Sequence, residues 1–390
     1  MPCSTRSACF SCFPSPPPRR CRPAEPCGCG RAGFNHVAAA NRSGLRAAAP
    51  RHSRQVRTGF GQGRTGEPPF SRQRPPRLRH RTLATRCADR LVYGAVRVAI
   101  CVIQALPRES CERTARRLAN LVANRMRIRR NVVRDNLRTA FPQITANERR
   151  TTARRMWEHL LLMVVEIAHA NRVIHKTTWR KHLRIHGMED FVRTLWLDRP
   201  KVILSGHYGN FELAAYLFGL FGFRIFSVAR ELDNPLLDDF VTRFRESRGQ
   251  RILPKKGSAP DVALVLEENG AIGLLGDQSA GPKGCWIEFF GRPASVHKAI
   301  GVFALSASAP VLVCSATRRR GLFDYDLRLE GIADPAAGGP ESADLTSLSQ
   351  WYTSLLEGAI RREPAQYWWV HRRWRGEPRK AKKAIARPAA

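Results

Sequence analysis

From residue 200 onward, short apolar runs of strand length alternate with amphipathic segments of helical length, and this alternation limits the fold more than any other feature. Because successive parallel strands need a crossover connection, the pattern predicts an α/β fold with a central mixed, largely parallel sheet flanked by helices. The predicted strands are residues 201–206, 224–229, 251–254, 271–276, 286–290, 311–317 and 325–329. The predicted helices are residues 211–220, 235–248, 260–268, 297–308 and 345–361.

Positive charge is spread unevenly along the 390 residues. The whole chain has 66 Lys and Arg against 32 Asp and Glu, a net charge of +34. Residues 1–86 contain 17 Arg, no Lys and two acidic residues, a net charge of +15, so the other 304 residues carry +19. This excess indicates an anionic partner, namely nucleic acid, phospholipid or an acidic carrier protein, and excludes an acidic buffering protein or a neutral extracellular binder.

Composition divides the chain into four segments, residues 1–86, 87–112, 113–376 and 377–390. The first is rich in Pro, Gly, Arg and Ser without periodicity, so we expect a disordered or transit-like extension, or a segment upstream of the true translation start. The second contains the apolar run 91–107, which is too short for a full membrane span and includes Arg97. We expect a membrane-associating helix there, with a buried core helix as the alternative. The third is the main domain, and the last is a basic tail.

Helices are also predicted between the apolar run and the α/β region. The first of these helices has an arginine-rich face, which suits either solvent or anionic headgroups. Residues 145–148 (TANE) have the spacing of a capping box and predict the start of the next helix. The apolar face of the first helix is predicted to contain Leu118, Leu121, Val122, Met126 and Val133.

The segment 205–212 (SGHYGNFE) follows an apolar strand and precedes a helix, which predicts a position at the carboxyl edge of the sheet, where α/β proteins bind ligands. His207 and Glu212 are too far apart in angle to share a helical face, so we predict His207 on the loop, Asn210 as N-cap and Glu212 in the first helical turn. Glu212 would then hold one imidazole nitrogen while the other faces a substrate hydroxyl, making His207 a general base without a protein nucleophile. The alternative is a buried His and a Glu that only complements the helix N-terminus.

Other chemistries lack their motifs. GxSxG, GxxxxGK[ST] and HExxH are all absent from the sequence, which argues against a serine hydrolase of that type, a P-loop NTPase and a zincin. Cys9 and Cys12 form a CxxC pair and Cys27 and Cys29 a CxC pair, but no further spaced pair or His partner follows in a segment that is expected to fold. We therefore expect no metal site and no cofactor.

Several ordered blocks resemble the lipid A late acyltransferases of lauroyl/myristoyl type, within the lysophospholipid-acyltransferase-like superfamily. Residues 206–212 (GHYGNFE) resemble the H-x4-[D/E] block of that family. The resemblance covers roughly residues 88–376. The other similar blocks are residues 130–142, 186–189, 230–235, 276–278 with 289–291, and 364–374.

The resemblance implies transfer of a fatty acyl chain from an acyl carrier protein thioester to a hydroxyl of a lipid A-type or related anionic glycolipid. His207 would be the base and Glu212 its orienting partner, with no covalent enzyme intermediate. The enzyme would lie on the cytoplasmic face of the inner membrane, peripheral or shallowly anchored. Arg230 would stabilise the thioester carbonyl or an acceptor phosphate, with a surface salt bridge as the alternative.

Five further residues are candidates for substrate binding. Asp277 ends a strand, so it is either a second carboxylate near His207 or a helix cap or loop-closing residue. Asn210 and Gln278 are expected to contact substrate. At the C-terminus we expect the Trp residues to pack in the core and Arg372 and Arg373 to bind acidic lipid.

The sequence is also compatible with two other functions. Within the acyltransferases, the acceptor is alternatively a glycerolipid, a mannoside or an ornithine lipid. From a different class, the charge and the Arg- and Trp-rich terminus suggest a nucleic-acid-binding protein, although no helix-turn-helix, RNP or zinc-finger pattern is present. The leading hypothesis expects no nucleic-acid partner.

Overall fold

The computed structural model describes residues 82–376. Most of the predicted extension 1–86, with its Cys pairs, and the whole predicted tail 377–390 lie outside the described residues. The helices are α1 Leu83–Ala105, α2 Arg108–Asn120, α3 Arg130–Ala140, α4 Ala146–Val173, α5 Met188–Leu195, α6 Phe211–Leu220, α7 Pro235–Glu246, α8 Ala259–Glu267, α9 Lys298–Ser306 and α10 Leu345–Arg362. The strands are β1 Leu183–His186, β2 Lys201–Ser205, β3 Ile225–Ala229, β4 Gln250–Pro254, β5 Ala271–Leu275, β6 Cys285–Phe289, β7 Arg292–Val296, β8 Val311–Arg318 and β9 Tyr325–Ala333.

Within residues 82–376, seven strands form one sheet in the order β1-β9-β8-β2-β5-β3-β4. Strands β8, β2, β5, β3 and β4 pair in parallel, β9 is antiparallel to β8, and β1 is parallel to β9. Strands β6 and β7 form a separate antiparallel hairpin. The predicted mixed, largely parallel sheet is therefore confirmed, and the predicted strands and helices from residue 200 onward coincide with observed elements. Strand β7 was not predicted, because its short segment RPASV contains a proline and little apolar periodicity.

Strand β2 lies in the middle of the sheet, and its residues are buried on both faces. Leu204 packs in a cluster with Ile300 of α9 and Tyr352 of α10, whereas Ile203 packs on the opposite face with Phe218 of α6. A strand covered by helices on both sides needs a continuous apolar run, which explains the sequence KVILS. The loop after β2 thus starts from one of the most buried parts of the chain.

The chain between α2 and α3 is more irregular than predicted. Helix α2 runs into a π-helical turn, Leu121–Met126, and the backbone then adopts left-handed φ values at Arg127 and Arg129 before α3 begins. Two non-glycine residues in that conformation break the predicted single helix.

The five positions of the predicted apolar face differ in burial. Val133 is buried in α3, but Leu118, Leu121 and Met126 are 43%, 45% and 57% exposed. The prediction that all five apolar positions lie on one face of a single helix is therefore wrong. The π-helical turn and the left-handed residues change the direction of the chain between those positions.

Helix α1 begins eight residues before the predicted apolar run and has no buried residue. Its Arg97 donates a hydrogen bond to the Tyr93 hydroxyl (2.9 Å) and lies 5.2 Å from the ring centroid of Phe240 in α7. The guanidinium is therefore engaged on the protein side of the helix. None of the helices in residues 82–376 combines the length and apolar content required to cross a bilayer.

The capping box predicted at residues 145–148 is confirmed at the start of α4. After α10, an extended segment returns beside the loop that follows β2. Tyr208 of that loop pairs with Tyr367 in an antiparallel bridge, and Trp369 is fully buried. The side-chain amide of Asn136 in α3 donates to the carbonyl oxygens of Trp369 (2.7 Å) and His371 (2.5 Å), which holds the segment in place.

Gly209 lies at the tightest point of the loop after β2. Its φ is +61°, and a Cβ atom there would overlap the carbonyl oxygen of Ala316 in β8. Its N–H donates to the carbonyl of Gln366 (3.0 Å), so the loop is held between β8 and the C-terminal segment. Only glycine satisfies both the backbone conformation and the close approach.

We expect Gly209→Ala to lower the free energy of unfolding by more than about 3 kcal/mol, because left-handed strain and overlap with backbone add together. Gly222→Ala is the matched control, since Gly222 has φ +91° but open space around its Cα. It should cost only about 1 kcal/mol. Urea unfolding monitored by tryptophan fluorescence measures the free energy of unfolding of both variants. Equal losses of stability in the two would show that the close approach of Gly209 to Ala316 is not the cause.

Candidate active site

Three predicted site residues follow three neighbouring parallel strands. His207 comes two residues after β2, Asp277 two residues after β5, and Arg230 directly after β3. In the sheet, β5 lies between β2 and β3, and all three run in the same direction. Their carboxyl ends therefore meet at one edge, as the sequence predicted for the segment 205–212.

Asp277 holds His207 through two hydrogen bonds. The backbone N–H of His207 donates to Asp277 Oδ2 (2.9 Å), and Asp277 Oδ1 is 2.8 Å from the imidazole Nδ1. The Asp277 side chain is 2% exposed and that of His207 is 12% exposed. Of the two roles considered for Asp277, the structure therefore matches a second carboxylate beside the imidazole.

This pairing shifts the pKa values of both groups and fixes the tautomer of the imidazole. Burial works against the ionised forms of both groups, but the opposite charge and the hydrogen bond raise the pKa of His207 above its ordinary value, with a contribution from Glu212. The same interactions, together with the charge of Arg373, hold the pKa of Asp277 below its usual range. An ionised Asp277 can only accept a hydrogen bond, so the Nδ1 of His207 must carry a proton and donate it. A neutral His207 therefore has its lone pair on Nε2.

Backbone hydrogen bonds fix the loop around His207 on several sides. The carbonyl of His207 accepts from the N–H of Trp368 (3.0 Å), and the N–H of Asn210 donates to the carbonyl of Ala316 (2.8 Å). The carbonyl of Gly209 lies 3.1 Å from Nε2 of the buried His159. The imidazole therefore sits on a rigid support, which is what a positioned base requires.

Glu212 does not hold the imidazole, so the predicted contact between Glu212 and His207 is wrong. Glu212 lies in the first turn of α6 as predicted, but its carboxylate is bound by both Nε (2.9 Å) and Nη2 of Arg245 in α7. The first turn of α6 directs this side chain toward α7, whereas Asp277 approaches His207 from the neighbouring strand. Glu212 acts on His207 only through its charge.

Asn210 is the N-cap of α6 as predicted, since its Oδ1 accepts from the N–H of Leu213 (3.0 Å). It is not placed to bind substrate, which corrects our expectation. The side chain is fully buried, and its Nδ2 lies 3.1 Å from both Glu166 Oε2 and the Tyr325 hydroxyl. Glu166 is in turn paired with Arg318 (2.5 Å), so Asn210 joins the loop to a buried charged network.

Gln278 and His371 complete the surroundings of the imidazole. Gln278 Nε2 lies 3.1 Å from His207 Nε2 and 3.4 Å from His371 Nε2. The rings of Phe211, Trp368 and His371 have centroids 5.1 to 5.3 Å from that of His207.

Sequence reasoning did not assign His371, Trp368, Phe211 or Arg245 to the site. In the structure, Tyr367 and Trp369 are buried while Trp368 and Val370 are partly exposed, an alternation typical of an extended segment with two different faces. Tyr367 and Trp369 point into the core, and Trp368 points to His207.

The predicted arginines have different environments. Arg230 is 79% exposed and pairs with Asp233 at 3.5 Å. Arg372 is exposed, but Arg373 is 1% exposed, donates to the carbonyl of Ser295 (2.9 Å) and lies over the ring of Phe289. The prediction that Arg373 is available to acidic lipid is therefore wrong, because this side chain turns into the core and its neighbour turns outward.

Within residues 82–376, the side chains hydrogen-bonded to the imidazole of His207 are Asp277 and Gln278. Neither is a hydroxyl or a thiol. No group of three His, Cys, Asp or Glu side chains in the described part of the chain is arranged to hold a metal ion. The arrangement is suited to taking a proton from a hydroxyl that comes with the substrate.

Comparisons with known proteins agree with the resemblance seen in the sequence. Residues 81–376 match the family described as "Bacterial lipid A biosynthesis acyltransferase". The chain is 25% identical over 257 residues to the lipid A biosynthesis palmitoleoyltransferase of Escherichia coli (strain K12), which covers 64% of this chain and 80% of that protein. It is 25% identical over 268 residues to the lipid A biosynthesis lauroyltransferase of the same organism, covering 67% and 84%.

Among solved structures, the 1-acyl-sn-glycerophosphate (LPA) acyltransferase PlsC from Thermotoga maritima is similar at 12% identity. The match covers 65% of this chain and 99% of that one, with a TM-score of 0.33.

The pairing of Asp277 with His207 is open to direct measurement. We expect the pKa of His207 to lie above its ordinary value of 6.5 and to fall below it in Asp277→Asn, because burial then acts with less opposition. An NMR titration of the imidazole nitrogens measures this. Asp326→Asn is the control, since it removes a carboxylate from a different imidazole, that of His186 (2.9 Å). An unchanged His207 pKa in Asp277→Asn would contradict the pairing.

Proposed function

Since the chain belongs to the bacterial lipid A biosynthesis acyltransferase family and is an acyltransferase, we propose that it moves a fatty acyl chain from an acyl carrier protein thioester to a hydroxyl of a lipid A-type or related glycolipid. The observation that carries the proposal is the His207–Asp277 pair at the carboxyl edge of the sheet. Family membership favours this function over nucleic-acid binding. Glycerolipid, mannoside and ornithine-lipid acceptors are the alternatives within the class.

The proposed reaction is a direct transfer. His207 Nε2 takes the proton of the acceptor hydroxyl as its oxygen bonds to the thioester carbonyl carbon, and the carbon–sulfur bond then breaks. The imidazolium returns the proton to the departing thiolate, giving an ester and a free thiol. Asp277 stabilises the imidazolium and keeps Nδ1 protonated. No protein nucleophile and no cofactor is needed.

The acidic carrier and the anionic acceptor fit the charge of the protein. Outside residues 1–86 the chain carries a net charge of +19. Arg138, Arg292 and Arg361 line a surface concavity of about 410 Å³, and the exposed Arg372 is available to headgroup phosphates. For Arg230, exposure at the same sheet edge as His207 supports contact with the thioester carbonyl or an acceptor phosphate.

Helix α1 supports a peripheral or shallowly anchored position on the inner membrane. Leu91, Val98 and Val102 follow each other at helical spacing on one face and are 74%, 64% and 51% exposed. An exposed apolar stripe of this kind is typical of a helix that lies in a membrane interface. Arg97 interrupts the apolar run in the sequence, but its guanidinium is engaged with Tyr93 and Phe240.

We expect His207→Ala to lower acyl transfer by about a thousandfold while the protein stays folded, because no general base remains. The assay follows a radiolabelled acyl group from acyl carrier protein to a phosphorylated glycolipid, with circular dichroism as the check on folding. His186→Ala is the matched control, since that imidazole pairs with Asp326 in β9. Transfer that persists in His207→Ala would refute the mechanism.

The membrane role of α1 predicts a specific loss of binding. Val98→Glu should weaken sedimentation with vesicles of phosphatidylethanolamine and phosphatidylglycerol about tenfold, since a buried valine contributes about 1.5 kcal/mol. Val302→Glu is the control, because Val302 is 48% exposed on a different helix, α9. Equal binding by the two variants would show that α1 does not dock on lipid.

A further inference from the structure

The nitrogen that the proposed mechanism needs is already occupied. Gln278 Nε2 is 3.1 Å from His207 Nε2, at the position from which an acceptor hydroxyl would donate its proton. Gln278 directly follows Asp277, so the same short segment after β5 contacts both nitrogens of the ring. The imidazole is therefore hydrogen-bonded on both sides.

The tautomer of His207 decides which way the carboxamide points. Asp277 accepts a hydrogen bond from the Nδ1–H of His207, so the Nε2 of a neutral imidazole is a hydrogen-bond acceptor. The side-chain carbonyl oxygen of Gln278 would be repelled if it faced this nitrogen. The amide group of Gln278 must then face His207 and donate to it. An NH₂ group has two protons, and the second is directed to His371 Nε2 at 3.4 Å.

His371 is suited to accept that second hydrogen bond. Its ring stacks on Trp368, with centroids 5.7 Å apart and planes 22° from parallel. Burial lowers the pKa of His371, which favours the neutral ring, and a neutral imidazole has one nitrogen that can accept a hydrogen bond. The backbone carbonyl of His371 is held by Asn136 (2.5 Å), which fixes the position of this second acceptor.

We propose that Gln278 caps the reactive Nε2 of His207 in the absence of acceptor, and that the arriving hydroxyl displaces its carboxamide onto His371. This inference rests on the proposed function of the site. Gln278 is then a positioning residue that acts through His207. It is not a group that only binds substrate.

The cap has a chemical purpose, since an exposed general base activates water as readily as a hydroxyl. Without the cap, His207 Nε2 would take a proton from water as the water oxygen bonds to the thioester carbonyl carbon. The carbon–sulfur bond would break, the imidazolium would return its proton to the thiolate, and the products would be a free fatty acid and a free thiol. The capped site protects the acyl donor from this hydrolysis until the acceptor is bound.

The test measures hydrolysis of acyl carrier protein thioester by the full chain without acceptor, and transfer with acceptor present. We expect Gln278→Ala to raise hydrolysis about tenfold and to lower the ratio of transfer to hydrolysis, since one hydrogen bond to the base is lost. Gln278→Met keeps the volume of the side chain without the donor and should change the ratio in the same direction. Gln350→Ala, at a glutamine of α10 that bonds to Glu288, should leave both rates unchanged.

The opposing outcomes are distinct. If hydrolysis and transfer fall together in both Gln278 variants, Gln278 only orients the imidazole and the cap is refuted. Unchanged rates in both variants would refute it as well. His371→Phe keeps a ring beside Trp368 but accepts no hydrogen bond, so it should raise the KM for the acceptor about fivefold, and an unchanged KM would refute the role of His371.

A failure of the proposed function gives a different result. His207→Ala, assayed in the same way, should lose both hydrolysis and transfer. If it retains transfer, His207 is not the base and the proposed mechanism fails, whatever the Gln278 variants do. If it loses both while the Gln278 variants behave like wild type, the mechanism holds and the cap alone is refuted.

Discussion

The two hydrogen bonds from Asp277 to His207 are the interaction on which the candidate site depends. One fixes the backbone of the loop and the other fixes the ring, so a single buried carboxylate sets the position and the tautomer of the imidazole and raises its pKa. The parallel pairing of β2 with β5 brings the two residues together, because it aligns the strand ends that carry them. The fold thus contributes to the chemistry through strand order.

Among the described residues, three buried or partly buried carboxylates lie near the loop, and each has its own basic partner. Asp277 pairs with His207, Glu212 with Arg245, and Glu166 with Arg318. Because a buried ion that loses its partner is costly, this division discourages exchange of partners. The Glu166–Arg318 pair is joined to the loop by the hydrogen bond from Asn210 to Glu166. The Glu212–Arg245 pair connects α6 to α7. Asp277 alone is left to act on the imidazole directly.

Local features were predictable from the sequence because local signals determine them. The apolar run KVILS fixed β2, and Asn210 marked the start of α6. The partner of His207 was not predictable in the same way, because Asp277 is 70 residues away and strand order is not written in any one segment. Glu212 was the nearer carboxylate in sequence, but α6 directs it toward Arg245. Arg372 and Arg373 show the same limit, since neighbouring residues of an extended segment face opposite sides.

A double-mutant cycle on acyl transfer tests the central claim, that His207 and Asp277 act as one unit, most directly. If they do, Asp277→Asn should slow transfer strongly in the wild-type background and should have almost no further effect when combined with His207→Ala. Glu212→Gln, run through the same cycle, should couple to His207 only weakly. If the fold-losses in transfer rate caused by Asp277→Asn and by His207→Ala simply multiply in the double variant, the two residues act independently and the account is contradicted.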